Sequence, residues 1–368
     1  MTSPSLAVLI AGGGTGGHLY PGLAVARELL RRRPDATVTF VGTARGLEAT
    51  IVPREGFALD LIRSAGLKGK SIGAIARGLS LLPPSARDAW RVISRRRPSL
   101  AIGVGGYSAG HVILLAVWRG VPTMVLEQNA MPGVTNRLLA RWVDAAAVNY
   151  DETLSFFRGK GFVAGNPVRP EFLAADAPRP PAPDGRRRLL VLGGSQGAHA
   201  INVAMVAAAS ELVRTGDVEL VHQTGSRDAG MVREEYERRG VAARVEAFLD
   251  PVVDAMRTAD LIICRAGATT LAELAALGRP AVLVPLPTAA DDHQRRNASV
   301  LEAAGAAAVV DERGMTGERL AAVVEGLLGN AARLATMREA MRAFARPDAA
   351  ARIVDRALAL VAGATGRA

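Results

Sequence analysis

Apolar positions fall in short unbroken runs, separated by longer stretches with the spacing of amphipathic helices. The first half carries runs at 6–12 (LAVLIAG), 37–42 (TVTFVG), 100–105 (LAIGVG), 123–128 (TMVLEQ) and 145–150 (AAAVNY). The second half repeats the alternation at 189–194 (LLVLGG), 218–223 (VELVHQ), 243–248 (ARVEAF), 261–267 (LIICRAG), 281–286 (AVLVPL) and 306–311 (AAAVVD). Runs of this length without polar alternation predict strands covered on both faces, and such strands belong to parallel sheets flanked by helices. Between the two series lies DAPRPPAPDGRRR (176–188), whose prolines and charges cannot build a core and predict a linker. The pattern predicts an α/β protein of two Rossmann-like, doubly wound domains, 1–175 and 189–345, facing across a cleft. The segment DAAARIVDRALALVAG (348–363) predicts a helix within the terminal stretch 346–368, one that packs back on the first domain.

At 368 residues the chain exceeds one ordinary core, in keeping with two domains. The single cysteine, Cys264, excludes a disulfide framework and points to a reducing compartment. No basic segment precedes a long apolar core at the N-terminus, and no apolar stretch reaches the ~18 residues that a membrane span needs. The expectation is a protein in the cytosol, or one resting on a membrane without crossing it. The net charge of +10 changes this picture, because it is unevenly placed. Residues 1–175 hold 21 Lys and Arg against 11 Asp and Glu, whereas residues 176–368 hold 24 of each. The whole excess lies in the first half and predicts an anionic partner for that half alone. Aromatic residues are scarce, at 4 %, and no nucleic-acid recognition motif appears, so nucleic acid is not the expected partner. An anionic membrane or a phosphorylated substrate is.

Each half opens on strand, glycine turn and helix: GGGTGGH (12–18) and GGSQGAH (193–199). Glycine permits positive φ and close backbone approach, and the helix start presents free N–H groups that favour phosphate. A tight strand-to-helix turn without a ligand is the alternative for either turn alone. Gly12, Gly14 and Gly17 fit the dinucleotide pattern G-x-G-x-x-G, but the second predicted strand ends at Gly42 with no acid before Glu48. That argues against NAD, and the absence of G-x-x-x-x-G-K-[ST] argues against an ATPase loop. A third glycine cluster, GVGGYSAG (103–110), ends another predicted strand, and Glu127, Gln128 and Asn129 follow the next. The second half offers CRAGATTLAELAALGRP (264–280) and PLPTAADDHQRRNA (285–298). Ligands of open α/β sheets bind at the carboxyl ends of strands, where these loops lie.

Taken in order, GGTGGHLYPGLAVA (13–26), GVGGYSAG, EQNAMPG (127–133), GNPVR (165–169), GGSQGA (193–198), RAGATTLAE (265–273) and DHQRRNA (292–298) resemble the MurG-type peptidoglycan N-acetylglucosaminyltransferases across almost the whole chain. The resemblance implies a GT-B fold and inverting transfer of N-acetylglucosamine from UDP-GlcNAc to undecaprenyl-pyrophosphoryl-MurNAc-pentapeptide (lipid I), giving lipid II. It implies a peripheral enzyme at the cytoplasmic face of the cell membrane, with other cell-wall synthesis and division proteins as partners. Two positions depart from the family pattern. His111 stands where proline is usual, and Leu126 stands where histidine usually precedes EQN.

The acceptor 4-hydroxyl must lose a proton as it attacks the anomeric carbon, and His18, beside the first glycine loop, has the pKa for a general base. Hydrogen bonding to a phosphate, or capping the turn, is its simpler alternative role. The resemblance places Thr15, Gly16 and Gly17 in substrate binding, and Gly105, Gly106, Tyr107, Glu127 and Gln128 in acceptor loops. It assigns the Asn129 amide to the N-acetylglucosamine side, Arg169 to the nucleotide's neighbourhood, Leu249 to the uracil and Gln294 to sugar hydroxyls. Within the stretch Ala268, Thr269, Thr270, Leu271, Ala272 and Glu273, it assigns the threonines to the diphosphate and the glutamate to the ribose; Ser195 also meets phosphate. Thr270 and Glu273 equally read as a T-x-x-E capping box. No D-x-D occurs, and adjacent Asp291 and Asp292 do not converge on one ion, so neither metal nor cofactor is expected. The stretch 66–91 mixes Lys68, Lys70, Arg77, Arg87 and Arg91 with Ile72, Ile75, Leu79, Leu81 and Leu82; its apolar positions equally suit an ordinary core helix with solvated charges, and the charge excess of the first half turns the expectation toward anionic lipid. The competing functions are a UDP-GlcNAc 2-epimerase and a non-catalytic nucleotide-sugar sensor at the membrane.

Overall fold

A computed structural model of the chain describes residues 6–64, 80–174, 185–193, 197–214 and 217–365. The chain forms two compact units, Met1–Arg169 with Arg346–Ala368, and Pro170–Ala345.

Unit 1 runs β1 (Ala7–Gly12), α1 (Gly16–Arg32), β2 (Thr37–Gly42), α2 (Glu48–Arg54), β3 (Ala58–Leu61), α3 (Leu82–Arg96), β4 (Leu100–Gly105), α4 (Tyr107–Trp118), β5 (Thr123–Glu127), α5 (Val134–Leu139), β6 (Ala145–Val148) and β7 (Gly161–Val163). Its parallel sheet has the order β3-β2-β1-β4-β5-β6-β7. The apolar runs divide by the period of two between opposite faces. Val8, Ile10, Leu100, Ile102, Met124 and Leu126 join the core under α1, while Leu9, Ala11, Ala101 and Val125 join the core under α3 and α4. That is why the runs show no polar alternation.

Unit 2 begins with α6 (Pro170–Leu173). It continues β8 (Arg187–Leu192), α7 (His199–Leu212), β9 (Val218–Gln223), α8 (Ala229–Arg238), β10 (Ala243–Glu246), α9 (Val252–Thr258), β11 (Leu261–Cys264), α10 (Ala268–Leu277), β12 (Ala281–Leu283), α11 (His293–Ala303), β13 (Ala307–Val309), α12 (Gly317–Leu328) and α13 (Ala331–Arg342). Its parallel sheet has the order β10-β9-β8-β11-β12-β13. The last helix, α14 (Ala349–Thr365), packs against α1, and Ile353, Val354 and Ala357 complete the core on that face of unit 1.

The contact boundaries differ from the sequence expectation of 175 and 189. Unit 2 starts at Pro170, and Arg187 and Arg188, read as the end of a linker, open β8. Arg188 donates its N–H to Asp260 at 2.9 Å and pairs with Glu219 on β9 at 3.0 Å, so these cations are held at a strand entrance. Most of the expected linker, residues 176–184, lies outside the described residues.

In both sheets the chain leaves the first strand one way and later returns to its other side, making a topological switch between β1 and β4 and between β8 and β11. All four of these strands run into glycine-containing turns at their carboxyl ends. The fold thus places the glycine motifs where doubly wound sheets bind ligands.

Candidate active site

In unit 1 the glycine turns after β1 and β4 interlock. Gly12, Gly13 and Gly14 take φ of 143°, 145° and 87°, and Gly105 and Gly106 take 102° and 85°. A Cβ on Gly12 would overlap the Gly105 carbonyl, and one on Gly106 would lie 2.9 Å from the Gly13 carbonyl oxygen. One on Gly105 would lie 2.7 Å from Cδ2 of His18. The glycines therefore let two backbones touch and seat the His18 ring directly on Gly105. Thr15 is the extended residue before α1, and Gly16 and Gly17 open the helix. The half-buried His18 has Nδ1 3.4 Å from the Gly13 oxygen and 3.5 Å from Oγ1 of Thr15. A carbonyl oxygen only accepts, so a hydrogen bond at this contact calls for the Nδ1–H tautomer. Tyr107, at the start of α4, is exposed.

A residue the sequence reading used only to argue against NAD sits behind this loop. Glu48, the first residue of α2, is 1 % exposed. Its Oε2 accepts the Gly14 N–H at 2.7 Å, and its Oε1 accepts the N–H and hydroxyl of Thr43 at 2.8 and 3.0 Å. The loop's Gly14 N–H is therefore already paired with an acid and is withdrawn from any phosphate. The signal was a carboxylate six residues beyond a strand-ending glycine, among the glycines of GTARGLE.

At the end of β5, Glu127 is buried and organises its own loop. Its Oε1 accepts from the backbone and side-chain nitrogens of Asn129 at 3.0 and 3.1 Å. Its Oε2 accepts from Gly133 N and Asn136 Nδ2, both at 2.9 Å. Gln128 is also buried and donates to the Val104 carbonyl at 3.2 Å, tying this loop to β4. Glu127 and Gln128 thus shape the loop from beneath. Leu126, the departure from the family pattern, is in the core under α1. His111 lies in the second turn of α4, and partial burial holds its imidazole below the ordinary histidine range. Arg169 lies in unit 1 and stacks over Tyr20 of α1, its guanidinium carbon 5.1 Å from the ring centre.

In unit 2 the turn after β11 leads into α10, whose N-cap is Gly267, with Ala268, Thr269 and Thr270 in the first turn. This overturns the capping-box alternative, since Thr270 and Glu273 both lie inside the helix. Glu273 is buried with Leu271, whereas Ala272 is partly exposed. Asn297 of α11 donates to the Ala266 carbonyl at 3.2 Å and fixes the turn from below. Beyond β10, Leu249 is buried, and its N–H donates to Gln223 Oε1 at 3.0 Å. Gln294 Oε1 accepts the Leu286 N–H at 3.0 Å, so its Nε2 is the half of the amide left to donate outward. Asp291 and Asp292, just before it, both take φ of 54°, an unusual pair for non-glycine residues. Among the described residues no group of three His, Cys, Asp or Glu side chains is placed to hold a metal ion. Ser195 lies outside the described residues.

The second glycine turn has its own buried support. Asn202 donates to the Thr224 carbonyl at 2.9 Å and to Asp228 at 2.8 Å, and its Oδ1 meets His222 Nε2 at 3.0 Å. His222 Nδ1 meets the Tyr236 hydroxyl at 2.8 Å, and His199 pairs with Asp228 at 3.1 Å. The turn residue Gly197 rests on Thr224, where a Cβ would come within 2.9 Å of the carbonyl oxygen.

Within unit 1, then, Thr15, Gly16, Gly17, His18, Gly105, Gly106 and Tyr107 come together at β1 and β4, with the Glu127–Asn129 loop on the neighbouring strand. Within unit 2 the 268–273, Leu249 and Gln294 segments follow β11, β10 and β12.

Comparison with known proteins agrees with both halves. The glycosyltransferase family 28 N-terminal domain matches residues 8–148, and the family 28 C-terminal domain matches residues 188–353. The UDP-N-acetylglucosamine–N-acetylmuramyl-(pentapeptide) pyrophosphoryl-undecaprenol N-acetylglucosamine transferase of Anaeromyxobacter sp. (strain K) is 45 % identical over 96 % of this chain and 93 % of its own length. The same transferase of Geobacter sulfurreducens is 44 % identical over 96 % of this chain and 98 % of its own. The crystal structure of Acinetobacter baumannii MurG superposes with a TM-score of 0.79 at 30 % identity, covering 96 % of this chain and 99 % of that one. A putative UDP-N-acetylglucosamine 2-epimerase from Listeria monocytogenes shares the fold, with a TM-score of 0.67, but only 16 % identity over 96 % of this chain and 95 % of that one. Fold alone therefore leaves transferase and epimerase side by side, and sequence identity separates them. With GT-B architecture, both family 28 domains and 45 % identity along nearly its whole length, the chain belongs to the MurG family of glycosyltransferases.

Proposed function

We propose that the chain transfers N-acetylglucosamine from UDP-GlcNAc to the 4-hydroxyl of the MurNAc residue in lipid I, forming lipid II with inversion at the anomeric carbon. The observation that carries the reading is the 45 % identity, over 96 % of the chain, to transferases named for that reaction. The residues of each unit support the reading as follows. Nε2 of His18 takes the hydroxyl proton as the oxygen attacks C1, the C1–O bond to UDP breaks, and the diphosphate leaves with the electron pair. Thr269 and Thr270, in the first turn of α10, meet the developing charge with hydroxyl and backbone donors. Glu273 accepts from the ribose hydroxyls, Leu249 borders the uracil, and Gln294 donates from Nε2 to the sugar. Arg169, Asn129 and Ser195 complete the donor contacts. The reaction needs no divalent ion, because helix-end dipoles and hydroxyls supply the stabilisation.

The lipid acceptor requires reach to a bilayer, and we place that contact on α3 and α4. No described helix is long and apolar enough to cross a membrane. These two helices pack side by side. Trp90 and Trp118 are 45 % and 81 % exposed, with Leu82 and Leu114 also exposed on the same helices. The Arg119 guanidinium lies 4.6 Å from the centre of the Trp90 ring. The inner face of α3 buries Ala89, Val92 and Ile93, so the expected stretch is part core and part surface. Its residues 66–79 lie outside the described residues.

The test is UDP release from UDP-GlcNAc with and without a lipid I analogue, in the presence of EDTA. Acceptor-dependent release is expected; release or epimerisation without acceptor overturns transfer in favour of the epimerase, and no release with any acceptor favours the sensor. In the same assay His18→Ala loses kcat, by about 100-fold or more for a lost general base. Glu273→Ala raises the KM for UDP-GlcNAc while the protein stays folded.

A further inference from the structure

The Gly13–Gly14 peptide has an unusual pair of partners. Its N–H, on Gly14, is held by Oε2 of Glu48 at 2.7 Å, and its carbonyl, on Gly13, faces Nδ1 of His18 at 3.4 Å. In a trans peptide these two groups point in opposite directions, so one rigid plane links the carboxylate to the imidazole. The glycines around Glu48 fit its side chain closely. A Cβ on Gly13 would come within 2.5 Å of Oε2, and one on Gly42 or Gly46 would overlap the same side chain. Three glycines from two loops thus form a cradle for one buried acid. Its other oxygen is fixed by the two donors of Thr43.

We propose that Glu48 is a positioning residue for His18, acting through the intervening peptide. A carboxylate on the N–H end polarises the amide and makes its carbonyl a stronger acceptor, since hydrogen bonds in a chain reinforce one another. The strengthened carbonyl holds the proton on Nδ1, directs the Nε2 lone pair to the acceptor hydroxyl, and favours the imidazolium that forms when the proton arrives. The arrangement does the work of the acid in an acid–histidine pair, with one peptide unit interposed. The interposed peptide keeps the carboxylate buried behind the loop.

This inference rests on the reading of His18 as general base, and its test separates the two. The first measurement needs no variant: nitrogen-15 NMR of the imidazoles, with His18 assigned by difference from His18→Ala. Neutral His18 is expected as the Nδ1–H tautomer; the Nε2–H tautomer overturns the proposal. The second uses Glu48→Gln, which keeps the shape and removes the charge. Its kcat is expected to fall by at least ~10-fold with the KM for UDP-GlcNAc unchanged, and the acid limb of the kcat–pH profile moves to lower pH by about half a unit or more. In the His18→Ala background the same substitution is expected to change kcat by less than about 2-fold, as for two groups acting as a unit. Equal losses in both backgrounds, with an unmoved pH profile, overturn the proposal while leaving His18 as base. Full activity of His18→Ala overturns the base itself.

Discussion

Gly42 and Gly46 have negative or ordinary φ, yet neither can be exchanged for alanine without meeting Glu48. Gly14, at φ 87°, has open space around it and is instead held to glycine by its backbone. The same residue type thus answers two different demands within one loop system. A parallel case in unit 2 is His222, which is fully enclosed and satisfied as a neutral ring: Nε2–H donates to Asn202 Oδ1, and Nδ1 accepts from the Tyr236 hydroxyl. Burial lowers its pKa from 6.5 to about 3. Between those values the unfolded chain binds a proton that the folded protein does not. Stability therefore holds above about pH 6.5 and is lost as the pH falls toward 3, by up to ~1.4 kcal/mol per pH unit from this group. Urea midpoints measured from pH 7.5 to 4.5 are expected to fall more steeply in the wild type than in His222→Gln, even though the variant starts lower. Parallel slopes would show that this ring does not carry the linkage.

At the scale of elements, the apolar runs located eleven of the thirteen strands among the described residues. β3 and β7 escaped for a physical reason. ALDL, at the sheet edge, is exposed at Ala58 and Leu61, so it carries no continuous apolar run. GFV is three residues long, at the opposite edge. Edge strands are covered less than central ones, and their pattern can fade, although β10 and β13, also at edges, kept readable runs. The glycine turns and His18 were legible because backbone geometry and chemistry restrict those positions to few residue types. Glu48 and Glu127 were harder to interpret: a buried acid serving backbone N–H groups looks in sequence like any acid near a helix start or strand end. The helical spacing of α14 was equally clear, and its contribution can be measured. Ile353 and Val354 are fully buried beside α1 and β1. Ile353→Ala is expected to cost ~2–5 kcal/mol, the usual range for emptying such a site. The loss should appear in hydrogen exchange of β1 and β4 and leave β8 and β11 protected. Uniform loss across both sheets would mean that the helix does not stabilise unit 1 in particular.

For the whole molecule, the uneven charge acquires a location. Asp60 pairs with Arg95 at 2.6 Å and Arg96 at 2.8 Å, and Asp88 pairs with Arg63 at 2.8 Å, so several cations of this region are spent binding α3 to β3. Arg87 and Arg91, on the exposed side of the same helix, make no ion pair among the described residues. They flank Trp90, and all three tryptophans of the chain, Trp90, Trp118 and Trp142, are exposed on the basic unit. A surface that presents indole rings among exposed arginines suits the boundary of an anionic bilayer, where the ring enters the interface and each cation adds ~1 kcal/mol. The two contributions respond differently to conditions. Replacing Arg87 and Arg91 by serine should weaken sedimentation with phosphatidylglycerol vesicles and flatten its dependence on salt. Replacing Trp90 and Trp118 by serine should weaken binding at every salt concentration and leave the slope unchanged, because an apolar contact is not screened. Neither pair touches the residues placed around His18, so UDP-GlcNAc turnover with a short-chain, detergent-soluble acceptor should survive both changes. Vesicle binding that ignores anionic lipid content, or that survives both sets of substitutions, would move the membrane contact off α3 and α4.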